Sequence, residues 1–368
     1  MSSARMSKIA IRPPSELKEM LRVTIIASLI LAVLSTLSHA CSRVLWNNSG
    51  RSVLVGRNMD WINSMPVDLY TLPRGQAYEG KTGPNTLHWT SKYGSLVAGS
   101  PAGAVDGLNE KGLGANMLWL GTSNFGKYDA SRPSIGVGHW LQYQLDNFAT
   151  VAEAVAHMKA SPYQVVPGTF DNLESTVHLA LADASGDSAI IEILDGNARI
   201  HHGRQYAVMT NDPPYDQQLA NLKNYKPFGG TKPLPGTVDA ADRFVRAATY
   251  LENLPKPTSE REAIAEILSV MRGVSQPFAP VNVAEMRARR PHTSPTRWRT
   301  VLDLTQKVYF YESTMSPNII WVRMDGLDFA TQAGVRRLAV NGSEDLVGDC
   351  SGGFKPSKPF SVLSPDLK

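Results

Sequence analysis

Cys41 stands where a single residue can supply both a nucleophile and its base. It directly follows a hydrophobic leader that ends at Ala40. Cleavage between the two residues would make Cys41 the first residue of the mature chain, with a free α-amino group beside its thiol. An α-amine titrates at about 7.7–8.0 and a free thiol at about 8.5, so at neutral pH the amine accepts the thiol proton without a large pKa shift. The sequence therefore predicts an activated N-terminal thiol.

An arginine and an aspartate follow on the next predicted strand. Arg57 and Asp60 lie three residues apart, at the end of a strand expected to pair with the one that carries Cys41. A cation near a thiol favours the thiolate, and a carboxylate can hold an α-amine in place. Such a pair at a strand end is also typical of a surface ion pair, and the spacing alone leaves both interpretations open.

The leader, residues 1–40, has the three parts of a secretory signal. Basic residues precede an uninterrupted apolar run at 23–37, and Ser38 and Ala40 occupy the positions that a signal peptidase reads. The run is short for a bilayer, which takes about 20 residues, so an uncleaved anchor is the weaker alternative. A lipoprotein is another, but His39 stands where a lipobox has a small residue. We expect a secreted, periplasmic protein without membrane attachment after cleavage.

The excess of basic residues belongs mostly to the leader. The chain has 37 Lys and Arg against 33 Asp and Glu, and removal of the leader leaves 32 against 31. A balance so close to zero argues against a nucleic-acid partner or an anionic membrane surface. No HExxH or CxxC spacing is present, and the adjacent His201 and His202 point to opposite faces of a predicted strand. We therefore expect neither a metal nor a cofactor.

The two cysteines of the chain, Cys41 and Cys350, allow a competing interpretation. In an oxidising compartment they can form one disulfide, and that bridge would block Cys41 as a nucleophile. The alternative to an enzyme is therefore a secreted, non-enzymatic binding protein with a Cys41–Cys350 bridge.

Predicted strands and helices are grouped along the chain and do not alternate one by one. The groups are strands over 41–120, two helices over 136–158, strands over 177–210 with a single strand at 200–210, helices at 239–251 and 260–272, and strands over 300–324. This grouping favours an α+β fold with antiparallel sheets. We expect one domain over 41–368, with a loose proline-rich tail after Phe354.

Four motifs follow Cys41 in an order that resembles a known family. They are GRNMDW at 56–61, DGLNEKGL at 106–113, TNDP at 210–213 and LPG with DRFVRAA between 234 and 248. Together they resemble the choloylglycine hydrolase family, the bile salt hydrolases and penicillin V acylases, over most of 41–325. These are cysteine N-terminal-nucleophile (Ntn) hydrolases, so the resemblance implies a four-layer αββα sandwich and hydrolysis of a linear, non-peptide amide C–N bond. The leader is similar to that of the secreted Gram-negative branch.

The resemblance also implies a role for each site residue. Cys41 matches the nucleophile, and Arg57 and Asp60 match the residues that tune and orient it. Asn211 of TNDP matches the asparagine whose side chain donates into the oxyanion hole. Arg243, the first arginine of DRFVR, matches the residue that completes the polar network.

One position departs from the family. Many relatives have an asparagine after the NEKGL strand, whereas this chain has Trp119, whose backbone N–H would serve the oxyanion. Trp61 and Trp119 are expected to hold a flat acyl group between their rings, although both are equally interpretable as core residues. The expected substrate is penicillin V or another aryl-acyl amide, with conjugated bile salts second and N-acyl homoserine lactones third. The resemblance also implies a homo-oligomer, most often a tetramer.

Overall fold

The computed structural model describes residues 41–160, 162–278, 294–342 and 345–367. Within these residues the chain forms twenty-two strands and five α-helices, which are numbered here in chain order. The predicted leader, 1–40, lies outside these residues. The described residues form one compact unit.

The strand that begins at Cys41 belongs to a seven-stranded sheet. Its order is β16 (Val208–Met209), β1 (Cys41–Trp46), β2 (Leu54–Asp60), β17 (Thr296–Asp303), β18 (Val308–Ser313), β19 (Ile319–Arg323) and β21 (Gly348–Asp349). All neighbours are antiparallel except β19 and β21. Every residue of β1 and β2 is buried, so the predicted N-terminal hairpin forms the middle of the molecule and not its surface.

A second, nine-stranded sheet is antiparallel throughout. Its order is β15 (Asn197–His202), β14 (Ser188–Leu194), β13 (Val177–Ala182), β8 (Gly114–Trp119), β7 (Gly103–Asn109), β6 (Ser95–Ser100), β3 (Asp68–Leu72), β20 (Arg336–Leu338) and β22 (Lys355–Pro356). Three short pairs complete the strands: β4 (Ala77–Glu79) with β5 (His88–Thr90), β9 (Ser134–Gly136) with β10 (Gln164–Val166), and β11 (Thr169–Phe170) with β12 (Leu173–Glu174).

Helices cover the outer face of each sheet. The helices are α1 (Val137–Asn147), α2 (Val151–Lys159), α3 (Tyr215–Leu222), α4 (Ala240–Glu252) and α5 (Glu260–Gly273). Helices α1 and α2 contact strands of the nine-stranded sheet, α4 and α5 contact β1 and β2, and β1 contacts β8 across the interior. The layers are thus helix, sheet, sheet and helix, which confirms the expected α+β fold and αββα sandwich.

The predicted helix starts are confirmed by their caps. The Thr150 hydroxyl accepts from the Glu153 backbone N–H at 3.2 Å, and the Ser259 hydroxyl accepts from that of Glu262 at the same distance. Both helices therefore begin where the sequence places a hydroxyl residue three positions before a glutamate. In the part of the chain that the structure describes, no helix is long and apolar enough to cross a membrane.

Two of the expected elements are wrong in detail. The predicted single strand at 200–210 is divided between two sheets, because β15 ends at His202 and β16 starts at Val208. Gly203, with a φ of 142°, lies at the break in a conformation that favours glycine. The tail after Phe354 is not loose along its described length, since β22 pairs with β20 and the residues that follow pack on the protein.

Candidate active site

Cys41 is the first residue of β1, and its side chain is almost completely buried. Its backbone nitrogen donates to Oδ1 of Asn211 at 2.7 Å. The sulfur lies 3.8 Å from the carbonyl oxygen of Asp60 and 3.9 Å from the sulfur of Met59. The thiol and the backbone nitrogen of one residue therefore share a small, enclosed space.

The charges around Cys41 oppose one another. Burial raises the pKa of the thiol, and the nearby Asp60 carboxylate raises it further. The guanidinium groups of Arg57 and Arg243, and the backbone contact at Asp60, lower it. Since burial is the largest effect, the thiol keeps its proton at rest and needs a base to become a nucleophile.

Arg57 is fully buried between the two sheets. It donates through Nη2 to the Met117 carbonyl at 3.1 Å, lies 3.8 Å from the Asp106 carboxylate and stacks over Trp298 at 4.6 Å. Tyr309 in turn donates to Asp106 at 2.6 Å. A surface ion pair between Arg57 and Asp60 is therefore excluded, because both side chains are 0% exposed. Asp106 belongs to the motif DGLNEKGL, but its contact with Arg57 was not predicted from the sequence.

Asp60 closes the other side of the thiol. Its Oδ1 accepts from the hydroxyl of Thr296 at 2.6 Å, whereas no hydrogen-bond donor within the described residues reaches its buried Oδ2. Burial raises the pKa of this carboxyl to about 6, against the opposing effects of the Arg243 charge and the Thr296 bond. Thr296 was not predicted from the sequence, because it lies 236 positions away along the chain.

Asn211 and Arg243 meet at the backbone of Cys41. Arg243 donates to the Cys41 carbonyl at 2.5 Å, to the Ser42 hydroxyl at 2.7 Å and to Oδ1 of Asn211 at 2.8 Å. The second arginine of DRFVR, Arg246, instead donates to the Thr237 carbonyl at 2.5 Å. The structure therefore brings the first arginine of the motif, and not the second, to Cys41.

The amide nitrogen of Asn211 faces Trp119. Nδ2 donates to the Trp119 carbonyl at 2.6 Å, which places this amide between the Cys41 backbone nitrogen and the end of β8. The neighbouring Asp212 carboxylate accepts from the backbone N–H groups of Gly121 and Thr122, at 2.6 and 2.9 Å. Asn211 and Asp212 thus both bind the backbone of the segment that carries Trp119. The predicted donation of Asn211 and the Trp119 N–H to an oxyanion stays a prediction.

An apolar pocket opens beside Cys41 and holds about 530 Å³ of free space, part of it open to solvent. Its walls include Met65, Met117 and Phe170 as well as both predicted tryptophans. The rings of Trp61 and Trp119 are 5.5 Å apart and tilted by 56°, and Phe170 lies 5.7 Å from Trp61. The two indoles touch, so they leave no room for a ring between them and form part of one wall of the pocket.

The other candidate chemistries receive no structural support. Cys41 and Cys350 are both free thiols, so the alternative Cys41–Cys350 bridge is wrong. Among the described residues, no group of three or more His, Cys, Asp or Glu side chains is arranged to hold a metal ion. A buried thiol, two arginines, a carboxylate and an amide beside an apolar pocket are suited to nucleophilic acyl transfer.

Several known proteins with a similar sequence and fold are amide hydrolases. A family model described as linear amide C–N hydrolases, choloylglycine hydrolase family, matches residues 41–337. The penicillin V acylase of Pectobacterium atrosepticum is 39% identical over 353 residues, 89% of this chain and 93% of that protein. The structure of penicillin V acylase from Agrobacterium tumefaciens has a TM-score of 0.78 at 42% identity, over 88% of this chain and 99% of that one. A conjugated bile acid hydrolase variant from Clostridium perfringens shares the fold, with a TM-score of 0.67 at 22% identity over 82% and 97% of the two chains.

An αββα sandwich with a buried cysteine at the start of its first strand defines an Ntn-hydrolase fold. The chain belongs to the choloylglycine hydrolase family and is a linear amide C–N hydrolase.

Proposed function

We propose that the mature protein begins at Cys41 and hydrolyses the side-chain amide of penicillin V or of a similar aryl-acyl amide. The observation that carries this proposal is the position of the Cys41 nitrogen. It lies 2.7 Å from Asn211 Oδ1, on the residue whose thiol borders the apolar pocket. After removal of the leader, that nitrogen is an amine that can accept the thiol proton.

Two acceptors are available to hold the resulting ammonium group. One is Oδ1 of Asn211, which already accepts from this nitrogen. The other is Oδ2 of Asp60, which is buried without a hydrogen-bond partner in the described chain while its pKa is raised to about 6. A new positive charge beside Asp60 lowers the pKa of that carboxyl and satisfies an oxygen that is costly to leave unpaired.

The reaction then proceeds by acyl transfer. The α-amine takes the proton of Cys41, and the sulfur attacks the amide carbonyl to form a tetrahedral intermediate. Asn211 Nδ2 and the Trp119 N–H stabilise its oxyanion. The C–N bond breaks as the α-ammonium protonates the leaving nitrogen, which departs as an amine. The free α-amine then removes a proton from water, which attacks the thioester, releases the carboxylic acid and restores the thiol.

The choice of substrate follows from the pocket. Its lining is almost entirely apolar and includes the contacting rings of Trp61, Trp119 and Phe170, which suits a flat aromatic acyl group. Two relatives at about 40% identity are named penicillin V acylases. A more distant relative is a conjugated bile acid hydrolase, so conjugated bile salts are the second candidate. N-acyl homoserine lactones are the third, since their acyl chains are apolar as well.

Processing and location are part of the proposal. The charged, apolar and small-residue parts of 1–40 support export to a periplasm and cleavage after Ala40. Assembly into a tetramer stays a prediction, which light scattering on the purified protein checks.

The decisive experiment combines N-terminal sequencing with a substrate panel. The secreted protein is expected to begin at Cys41 and to hydrolyse penicillin V faster than glycocholate or an acyl homoserine lactone. Cys41→Ser should stay folded and lose about 99% of the activity or more. A serine hydroxyl gives up its proton less readily than a thiol and is therefore a far weaker nucleophile beside the same α-amine. Cys350→Ser is the matched control and should keep full activity. A fully active preparation that begins at another residue would refute the mechanism.

A further inference from the structure

The C-terminal segment, defined here as 362–366, lies against the proposed active site. Leu363 is one of the residues that line the pocket beside Cys41. Its backbone N–H donates to the Ala102 carbonyl at 3.5 Å, and Ala102 lines the same pocket. The last described residues of the chain therefore reach a site that is built mostly by its first third.

The same segment is fastened to the hairpin β11–β12. The Asp366 backbone N–H donates to the Pro167 carbonyl at 2.8 Å, and the Asp366 carboxylate accepts from the Thr169 hydroxyl at 2.6 Å. An isolated antiparallel bridge joins Gly168 to Pro365. Residues 167–169, which lead into the hairpin, are thus held by residues 365 and 366 of the C-terminal segment.

The hairpin in turn carries part of the aromatic wall. Phe170 packs on Trp61, with ring centroids 5.7 Å apart. Asp171 accepts from the indole N–H of Trp61 at 2.8 Å and from the Asn63 amide at 3.1 Å. Asp171 and Asn172 have φ values of 52° and 62°, the left-handed conformation that Asp and Asn tolerate in tight hairpin turns. The position of Trp61 therefore depends on a hairpin that the C-terminal segment holds.

Two glycines make room for this arrangement. A Cβ atom on Gly168 would lie 2.5 Å from the Ser364 carbonyl oxygen and 2.9 Å from the Leu363 side chain. A Cβ atom on Gly138 would lie 2.8 Å from the Val362 side chain and 2.7 Å from the Ala102 carbonyl oxygen. Neither glycine has a positive φ, so both are required by close packing and not by backbone conformation.

We propose that Leu363 is a specificity-determining residue and that the C-terminal segment forms the wall that limits the size of the acyl group. This inference rests on the proposed function, since it concerns the acyl pocket of the same reaction. Leu363 contributes an apolar residue to a pocket whose other walls come from sheet strands, the start of helix α1, the hairpin and connecting loops. Its size therefore sets the space for the acyl chain without any contact with the reacting bond.

The test compares three amides of one chromogenic amine, with phenoxyacetyl, hexanoyl and decanoyl groups. Leu363→Ala is expected to raise kcat/KM for decanoyl relative to phenoxyacetyl by about tenfold, the scale that one or two methylene groups have in an apolar pocket. Leu363→Trp is expected to change the ratio in the opposite direction. Leu367→Ala is the matched control, because Leu367 is exposed and is not among the pocket residues, and it should leave the ratio unchanged.

The possible failures are distinguishable. Equal loss on all three amides in both Leu363 variants, with cooperative thermal unfolding intact, would show a merely structural role and overturn the inference alone. An unchanged ratio would do the same. A wild-type protein that hydrolyses none of the three amides, at the level of Cys41→Ser, would overturn the proposed function and this inference with it.

Discussion

The backbone nitrogen of Cys41 donates a hydrogen bond of 2.7 Å to Oδ1 of Asn211, which lies 170 positions further along the chain. The orientation of the amide is fixed by its neighbours, because Arg243 also donates to Oδ1 and the Trp119 carbonyl accepts from Nδ2. If the amide were flipped by 180°, its NH2 group would face the donors of Cys41 and Arg243, and its oxygen would face the Trp119 carbonyl oxygen. Asn211 therefore holds both the start of β1 and the end of β8.

Substitution of Asn211 should affect catalysis more than folding. Asn211→Ala removes the acceptor at the Cys41 nitrogen and the Nδ2 donor at Trp119, and we expect kcat to fall by about 10²–10³-fold, the effect of losing one oxyanion donor. Asn211→Asp keeps an acceptor but places a second oxygen against the Trp119 carbonyl, so it should lose activity as well. Asn197→Asp, at an exposed strand end, is the control. Equal kcat in wild type and Asn211→Ala would contradict the proposed role.

The hydrogen bond between Thr296 and Asp60 should set the pH at which protonation of Asp60 reduces activity. The pKa of the Asp60 carboxyl is about 6, where burial raises it and the Arg243 charge and the Thr296 bond lower it. The α-ammonium of a mature chain lowers it further, so protonation of this carboxylate should cause a decline in kcat/KM below about pH 6, in addition to the decline that protonation of the free α-amine causes at higher pH.

Thr296→Val removes a hydrogen bond that favours the charged carboxylate. The pKa of Asp60 then rises, and the decline in kcat/KM that this carboxyl causes should move up by about one pH unit, which corresponds to about 1.4 kcal/mol. Thr296→Ser keeps the hydroxyl and should keep the wild-type profile. A pH profile of Thr296→Val that overlays the wild-type profile would show that Asp60 does not control this decline.

The sequence predicted the parts of the site that are close together along the chain. The hairpin over 41–60 follows from alternating apolar residues and a glycine turn, and the observed register pairs Cys41 with Met59. That register places Arg57 and Asp60 near the thiol. The resemblance supplied Asn211 and Arg243, which no local pattern connects to Cys41.

What the sequence did not predict depends on contacts between distant elements. Asp106 reaches Arg57 across the space between the two sheets, and no periodicity encodes such a pairing. Helix α3 was not predicted from the sequence. It buries only Tyr215 and Gln218, so it lacks the apolar stripe by which an amphipathic helix is recognised. The docking of the C-terminal segment depends on glycine-lined gaps elsewhere in the chain, which appear only once the sheets have packed.

A buried carboxylate should make stability depend on acid. Burial raises the pKa of Glu192, but the contacts from His178 and His201 outweigh it and bring the pKa down to about 2. A carboxyl with a depressed pKa stabilises the fold above its unfolded pKa near 4.5, and this stabilisation is lost as the pH falls toward 2. Between pH 7 and pH 3 the loss is about 2 kcal/mol.

Glu192→Gln tests this linkage, because the amide keeps an acceptor for the Tyr215 backbone N–H but carries no charge. Urea unfolding measures the free energy of unfolding at pH 7 and at pH 3. This free energy should fall between the two pH values in both proteins, but by about 2 kcal/mol less in the variant than in the wild type. Glu174→Gln, at an exposed site, should behave as the wild type. The same pH dependence in the wild type and in Glu192→Gln would assign the acid sensitivity to other carboxylates.

The aromatic wall should distinguish flat acyl groups from linear ones. Trp61 touches both Trp119 and Phe170, so a phenoxy ring placed on this wall gains an offset aromatic contact of about 0.5–1.5 kcal/mol beyond area burial. Trp61→Ala and Trp119→Ala should therefore raise KM for phenoxyacetyl amides about 2–10-fold more than for hexanoyl amides of the same amine. Trp321→Ala is the control, because Trp321 packs on Phe310 and is not among the pocket residues. An equal rise in KM for both acyl groups would show that the indoles supply only apolar area, since stacking is the one contact that a linear chain cannot make.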